Sequence, residues 1–254
     1  MPVHYKSKDG VGVFTFDNGR LNVMSMEMHK AFYHHFLTFQ DDDDVSIGVI
    51  VGEGENFSAG DDLKEIRTEA WSLRQTRWDH LLLAARRNKP MIAAMRGYTL
   101  GSGFLYAMVL ADIRIGGTSL QTGAPEIAYG FAGMGGPTRL ALQIPAVHAA
   151  YLVLTGEKID AQRALSMNLI NEVVDDADVL DRSVEIAKMI AAHEREAVML
   201  ELDSLHRGTE LSRADSYQYT QKQYWQTRKL MGDNPDSGTQ SLEIMKRNKG
   251  ETDE

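Results

Sequence analysis

Cysteine is absent from the 254-residue chain, which excludes disulfides, thiolate metal ligands and cysteine nucleophiles. Long apolar runs are missing too. The nearest approach to the ~18–20 residues that span a bilayer is 91–111, and Arg96 with three glycines interrupts it. No cationic segment leads into a signal-like apolar stretch at the N-terminus, so a soluble, cytoplasmic protein is expected. Basic residues are the minority: 27 Lys and Arg against 36 Asp and Glu leave a formal net charge of −9. That balance argues against a broad nucleic-acid footprint or an anionic membrane surface. No histidine pair has zinc-like spacing with an accompanying acid, so no metal is expected. Nucleotide-binding glycine patterns are also lacking, since Gly101-Ser102-Gly103 fits neither the Rossmann nor the Walker type, and no redox cofactor is implied.

What is present is enough for a large core. A chain of this length buries roughly 70–75% of its extended surface. Val11, Val13, Phe14 and Phe16 read as a strand between turns at Gly10 and Gly19. Residues 25 to 39 follow a helical rhythm, with Ser25 as N-cap and Met28, Phe32 and Phe36 on one side. Asp41 to Asp44 read as a solvated turn. Residues 45 to 51 are nearly continuously apolar, as are 91 to 95, and 111 to 115 form a third strand candidate. Such runs suit strands covered on both faces of an α/β sheet. A helical stretch is expected over 69 to 87, with Trp71, Trp78 and His80 in it. Glycines cluster between 97 and 136, where close backbone approach lets a loop aim amides at a ligand. Further on, 146 to 154 is a short helix ending at Gly156, Asp160 caps another, and Asn168 suits a left-handed stop. From 178 to about 231 only helices are expected, with a break at Arg207-Gly208.

Several stretches carry a resemblance. Phe57-Ser58-Ala59-Gly60-Asp61-Asp62-Leu63 resembles the first active-site loop of the enoyl-CoA hydratase/isomerase (crotonase) family. The segment from Lys89 to Gly103 resembles that family's strand and glycine-rich second loop. Ala111 to Ile115, Pro125-Glu126-Ile127, Leu154 to Ala161 and Asn168 to Val174 continue the pattern, in order and at its spacing. The resemblance implies a spiral α/β core of repeated ββα units over 1–190. It also implies a helical C-terminal region over 191–254 that serves oligomerisation and active-site closure. A homotrimer or a dimer of trimers, acting on a coenzyme A thioester without a tightly bound cofactor, is implied as well.

The same resemblance assigns roles. Backbone amides of Asp61 and Ser102 form an oxyanion hole for the thioester enolate, or Gly103 replaces Ser102 if a one-residue insertion precedes it. Coenzyme A contacts fall on Leu21, Val23, Met24, Ser58, Ala59 and Asp62, with a weaker match at Lys246 and Arg247. Hydratases of the family use two glutamates. The later one is present as Glu126. The earlier position holds Leu105 when counted from Gly103 and Tyr106 when counted back from Asp112, so that glutamate is missing. A single carboxylate favours double-bond isomerisation over hydration, as in the mitochondrial type of Δ3,Δ2-enoyl-CoA isomerase. The alternatives are an enoyl-CoA hydratase, an acyl-CoA or β-diketone hydrolase, and a non-catalytic acyl-CoA-binding trimer. Tyr106 and His80 are candidate auxiliaries. The Asp61 side chain lies close to a site built for developing anion, which repels it unless the carboxylate turns away or carries protons.

Overall fold

The structure, a computed structural model, describes residues 2–69, 87–133 and 136–233. The chain divides into two compact units, Met1–Ala191 and Ala192–Glu254.

In the first unit a six-stranded sheet runs in the order β1 (Val3–Lys8), β2 (Val11–Phe16), β3 (Ile47–Gly52), β4 (Met91–Met95), β6 (Ile113–Gly117) and β9 (Glu172–Val174). A smaller sheet joins β5 (Tyr98–Leu100), β7 (Gln121–Gly123) and β8 (Ile159–Asp160). Only the β1–β2 pair of the large sheet is antiparallel. Its connection is Asp9-Gly10, with φ of 52° and 77°. Two positive values make the mirror-image turn whose twist matches a hairpin, and Asp-Gly is the pair that tolerates it.

The large sheet grows in one direction along the chain and alternates with the small one: β4 then β5, β6 then β7, β8 then β9. A doubly wound sheet would reverse its strand order at a switch point. This one winds as a spiral.

The apolar runs are covered on both faces, as their composition predicts. Ile50, Met91, Ala93 and Met95 join the core that holds Phe14, Phe32 and Phe36. Ile47, Val49, Val51, Ile92 and Ala94 face the opposite side, where Val179 and Ala187 belong to the same cluster. The strand alternation thus sorts one apolar sequence into two cores. Val45 and Ser46 precede β3 rather than joining it, because the Ser46 amide is drawn to the Gly10 carbonyl at 2.8 Å.

Helix α1 (Met26–Asp41) begins where Ser25 Oγ accepts from the Met28 amide at 3.2 Å. Its buried stripe is Met28, His29, Phe32, Phe36 and Phe39. Phe14 meets Phe32 and Phe39 edge-on at 5.3 and 5.4 Å between centroids, the offset geometry that aromatic quadrupoles favour. Helix α2 (Ser102–Leu110) is buried at every position but one, so it lies inside the fold rather than on it. After it come α3 (Gly136–Gln143), α4 (Ala146–Thr155), α5 (Ala161–Ser166) and α6 (Val179–Ala191). Gly156 caps α4 in the left-handed region, the Asp160 carboxylate accepts from Arg163 N at 2.8 Å, and Asn168 has φ of 59°. In the second unit, α7 (Arg195–Gly208) stops at the expected break and α8 (Arg213–Asp233) follows. Tyr219 and Gln223 of α8 both donate to Asp203 of α7.

Candidate active site

The first loop is fixed by hydrogen bonds on both sides. Ser58 donates its amide to the Tyr98 carbonyl and accepts from Leu100, each at 2.9 Å, which ties the loop to β5. On the other side, Ala59 N donates to Leu21 O, Met24 N to Gly60 O and Asp62 N to Met24 O. The Ser58 hydroxyl donates to Asn22 O at 2.8 Å and accepts from Gly60 N at 3.1 Å. Among the described residues the Asp61 amide donates to no carbonyl.

Two glycines bring this loop against the second one. Gly60 has φ of 92°, and a β-carbon there would lie 2.9 Å from the Leu100 carbonyl oxygen. Gly101 has φ of 54°, and its added β-carbon would lie 3.5 Å from the Gly60 Cα. Among the described residues each glycine is followed by an uncommitted amide: Asp61 after Gly60, and Ser102, the first residue of α2, after Gly101. Gly103, in the first turn of the same helix, also serves close packing, since a β-carbon on it would meet Ser58 Cβ at 2.8 Å. Gly60→Ala is therefore expected to lose about 1–3 kcal/mol of stability, read by chemical denaturation, and to lose turnover with it as the Asp61 amide is displaced.

Glu126 stands on a short 3-10 turn, Pro125–Tyr129, whose first residue is proline and whose end is Gly130 in the left-handed region. Proline fixes the entry φ without wasting an amide. One carboxylate oxygen lies 3.9 Å from where a Gly101 β-carbon would stand. The other, Oε2, is buried and has no hydrogen-bond partner among the described residues. Burial pushes the Glu126 pKa above its ordinary value, its own backbone amide opposes the shift, and the negative charge of Asp61 adds to it. The Glu126 carboxyl therefore feels the charge of Asp61 from the first loop.

The Asp61 side chain is not turned out to solvent. Its Oδ1 lies 3.1 Å from His29 Nε2, and the two side chains are 13% and 4% exposed. His29 Nδ1 lies 2.6 Å from the Tyr106 hydroxyl. The Tyr106 ring is packed beside Phe32 and Phe16, at 5.3 and 6.4 Å. Of the two candidates for the missing glutamate's place, Tyr106 is thus the one joined to the site by hydrogen bonds. His29 was not singled out by sequence reasoning. A signal existed, because it is the lone polar residue on an otherwise apolar helical stripe.

The structure brings together Asp61, Ser102, Glu126 and Tyr106 and adds His29. Along the strip expected to meet coenzyme A, Leu21 is exposed and Val23, Ala59 and Asp62 are half-buried, whereas Met24 and Ser58 are buried. The amides and carbonyls of those last two are also engaged within the protein, so the expectation that Met24 and Ser58 touch coenzyme A is not met by exposed atoms. The Asp62 carboxylate accepts from Lys64 N at 2.8 Å and so shapes the loop. Trp71, Trp78, His80, Lys246 and Arg247 lie outside the described residues. Among the described residues no group of three or more His, Asp or Glu is arranged to hold a metal, and no helix is long and apolar enough to cross a membrane.

Known proteins resemble this chain along most of its length. Residues 6–243 match the family model described as enoyl-CoA hydratase/isomerase. A probable enoyl-CoA hydratase of Mycolicibacterium paratuberculosis is 36% identical over 187 residues, covering 72% of each chain. The 2,3-dehydroadipyl-CoA hydratase of Escherichia coli is 33% identical over 174 residues, covering 67% of this chain and 68% of its own. Among solved structures, an enoyl-CoA hydratase of Thermoplasma volcanium superposes with a TM-score of 0.83 at 25% identity, over 97% of both chains. One from Geobacillus kaustophilus reaches 0.86 at 24% identity, over 97% of this chain and 94% of that one, a likeness of fold alone. The chain belongs to the enoyl-CoA hydratase/isomerase (crotonase) superfamily, and its spiral of alternating sheets is that superfamily's architecture. It is an enzyme of that family.

Proposed function

We propose that the protein adds water across the 2,3 double bond of an enoyl-CoA thioester, with Glu126 as acid and Asp61 as base. The observation that carries this reading is the Asp61 carboxylate turned into the site, where it raises the Glu126 pKa. Counted along the sequence, one carboxylate favours isomerisation. In our reading Asp61 supplies the second from the other loop, and the hydratase names of the curated relatives support the same choice.

In this mechanism the thioester oxygen accepts from the Asp61 and Ser102 amides. Each such donor is worth about 10²–10³ in rate where charge develops. Water oxygen bonds to C3 as its proton passes to the Asp61 carboxylate. The C2 carbon takes the proton of Glu126, and the charge on the thioester oxygen returns to re-form the carbonyl. Asp61 ends protonated and Glu126 ionised; a proton passed back resets the pair. Glu126 suits the acid role because burial favours its protonated form. The aspartate beside an oxyanion hole ceases to be a penalty as well. It becomes neutral in the step that makes the thioester oxygen negative.

The test is mass spectrometry in deuterated water on a panel of 2-enoyl, 3-enoyl, saturated and β-keto acyl-CoAs. A 2-enoyl-CoA that gains the mass of water is the expected result. A shifted double bond without added water would return the protein to isomerisation by Glu126 alone. Free coenzyme A would indicate a hydrolase, and a tight complex without reaction a binding protein.

A further inference from the structure

We propose that His29 and Tyr106 are positioning residues that hold the Asp61 carboxylate in the orientation from which it takes the proton of water. This inference rests on the two-carboxylate reading above.

The three side chains come from three elements: Asp61 from the first loop, His29 from α1 and Tyr106 from α2. Tyr106 is 1% exposed and wedged among aromatic rings, so its hydroxyl is fixed in place. In the arrangement proposed, the neutral imidazole accepts the Tyr106 hydroxyl hydrogen at Nδ1, 2.6 Å away, and carries its own hydrogen on Nε2, since the other tautomer would set a lone pair against the Asp61 carboxylate. A doubly protonated imidazole donates to the phenol oxygen and still carries a hydrogen on Nε2. In both states Nε2 donates to Asp61 Oδ1 at 3.1 Å. One carboxylate oxygen is thereby pinned. Among the described residues Oδ2 accepts no hydrogen bond, which leaves it for water.

A purely structural role accounts less well for the arrangement. Position 29 lies between Met28 and Phe32 on a buried stripe, where leucine would pack without desolvating an imidazole. Buried polar chains of this kind are costly unless every member is satisfied. Here the chain ends on a carboxylate whose charge reaches Glu126. The other nearby acids are already engaged: Asp62 accepts from Lys64 N and Glu65 accepts from Met26 N.

The experiment is steady-state kinetics on 2-butenoyl- through 2-dodecenoyl-CoA with His29→Leu, His29→Gln, Tyr106→Phe and Asp61→Asn, singly and paired, each checked for folding by circular dichroism. His29→Leu should lower kcat by about 100-fold, the size of effect expected when a reacting group is misplaced by about 1 Å, with KM unchanged. His29→Gln, whose amide can still donate near the Nε2 position, should recover most of that loss. Tyr106→Phe should lower kcat by about tenfold alone and add almost nothing on top of His29→Leu, since residues acting as one unit are not additive. Should His29→Leu fail to fold, Tyr106→Phe carries the test by itself. Wild-type kcat in folded His29→Leu, or in Tyr106→Phe if the former does not fold, overturns the inference. So does a Tyr106→Phe effect undiminished in the His29→Leu background. Slow Asp61→Asn beside normal His29→Leu would remove the positioning role and leave the two-carboxylate mechanism standing. Wild-type kcat in Asp61→Asn would remove that mechanism itself.

Discussion

Glu126→Gln is expected to lower turnover by about 10²–10⁴-fold, the range for a lost general acid, while the variant still binds acyl-CoA. Glutamine keeps the size of the side chain and resembles the protonated acid in charge, but it has no proton to give C2. Binding should survive because the proposed mechanism holds the thioester oxygen with the backbone amides of Asp61 and Ser102, which the substitution does not touch. Isothermal titration with a saturated acyl-CoA reads the binding and product formation reads the turnover. The same variant is expected to be more stable than the wild type at neutral pH. The folded-state pKa of Glu126 is raised by burial and by Asp61, so between its ordinary and its raised value the folded state binds more protons than the unfolded one. Stability therefore falls as pH rises through that window, and the deficit is complete above it. Glutamine removes the deficit. Thermal melts should place Glu126→Gln above the wild type at neutral pH and level with it below the ordinary glutamate pKa. A site that sacrifices stability for an uncharged acid behaves in this way; a surface carboxylate would show neither effect.

How much of this was legible beforehand depends on the range of the interaction. Ser25, Asp160, Gly156 and Asn168 declare themselves locally, because caps and left-handed stops are decided within a turn of the chain. The apolar runs at β3 and β4 announce buried strands, since five or six consecutive apolar residues have few other stable places. The small sheet is different. Its strands hold three, three and two residues, too few for a period of two to emerge, and their pairing is imposed by the spiral. Strand β1 escaped notice for another reason: it is mostly exposed, and only Val3 and Tyr5 of its six residues turn to the core. Within the site, Glu126 and the two loops follow from motif and order. The direction of the Asp61 side chain does not. It is set by His29, 32 positions away, and His29 is set by Tyr106, 77 positions further on. No local pattern encodes a chain of contacts between three elements, although a lone histidine among Met28, Phe32, Phe36 and Phe39 marks where such a chain could start.

Asp61→Asn is expected to lower turnover by about 10²–10⁴-fold as well, and it carries a second signature that a merely structural aspartate would lack. The asparagine keeps the backbone amide, so the oxyanion contact and substrate affinity should persist. It also keeps an oxygen that can accept from His29. What it loses is a base for water, and a negative charge beside Glu126. That charge helps raise the Glu126 pKa, so without it the pKa must fall. In the proposed mechanism Glu126 is the acid, so kcat/KM should decline at high pH as it ionises; in the variant that decline should begin at a lower pH. Residual activity measured across pH in the wild type and Asp61→Asn reads the displacement directly. A reduced rate with an unmoved alkaline limb would mean that the two carboxylates do not sense each other, and the second acid–base group would have to be sought elsewhere. A limb that moves downward together with the rate ties both effects to one carboxylate. It also explains how a chain lacking the usual first glutamate can keep a hydratase's pair of acids, by bringing the second from the loop that already supplies the oxyanion amide.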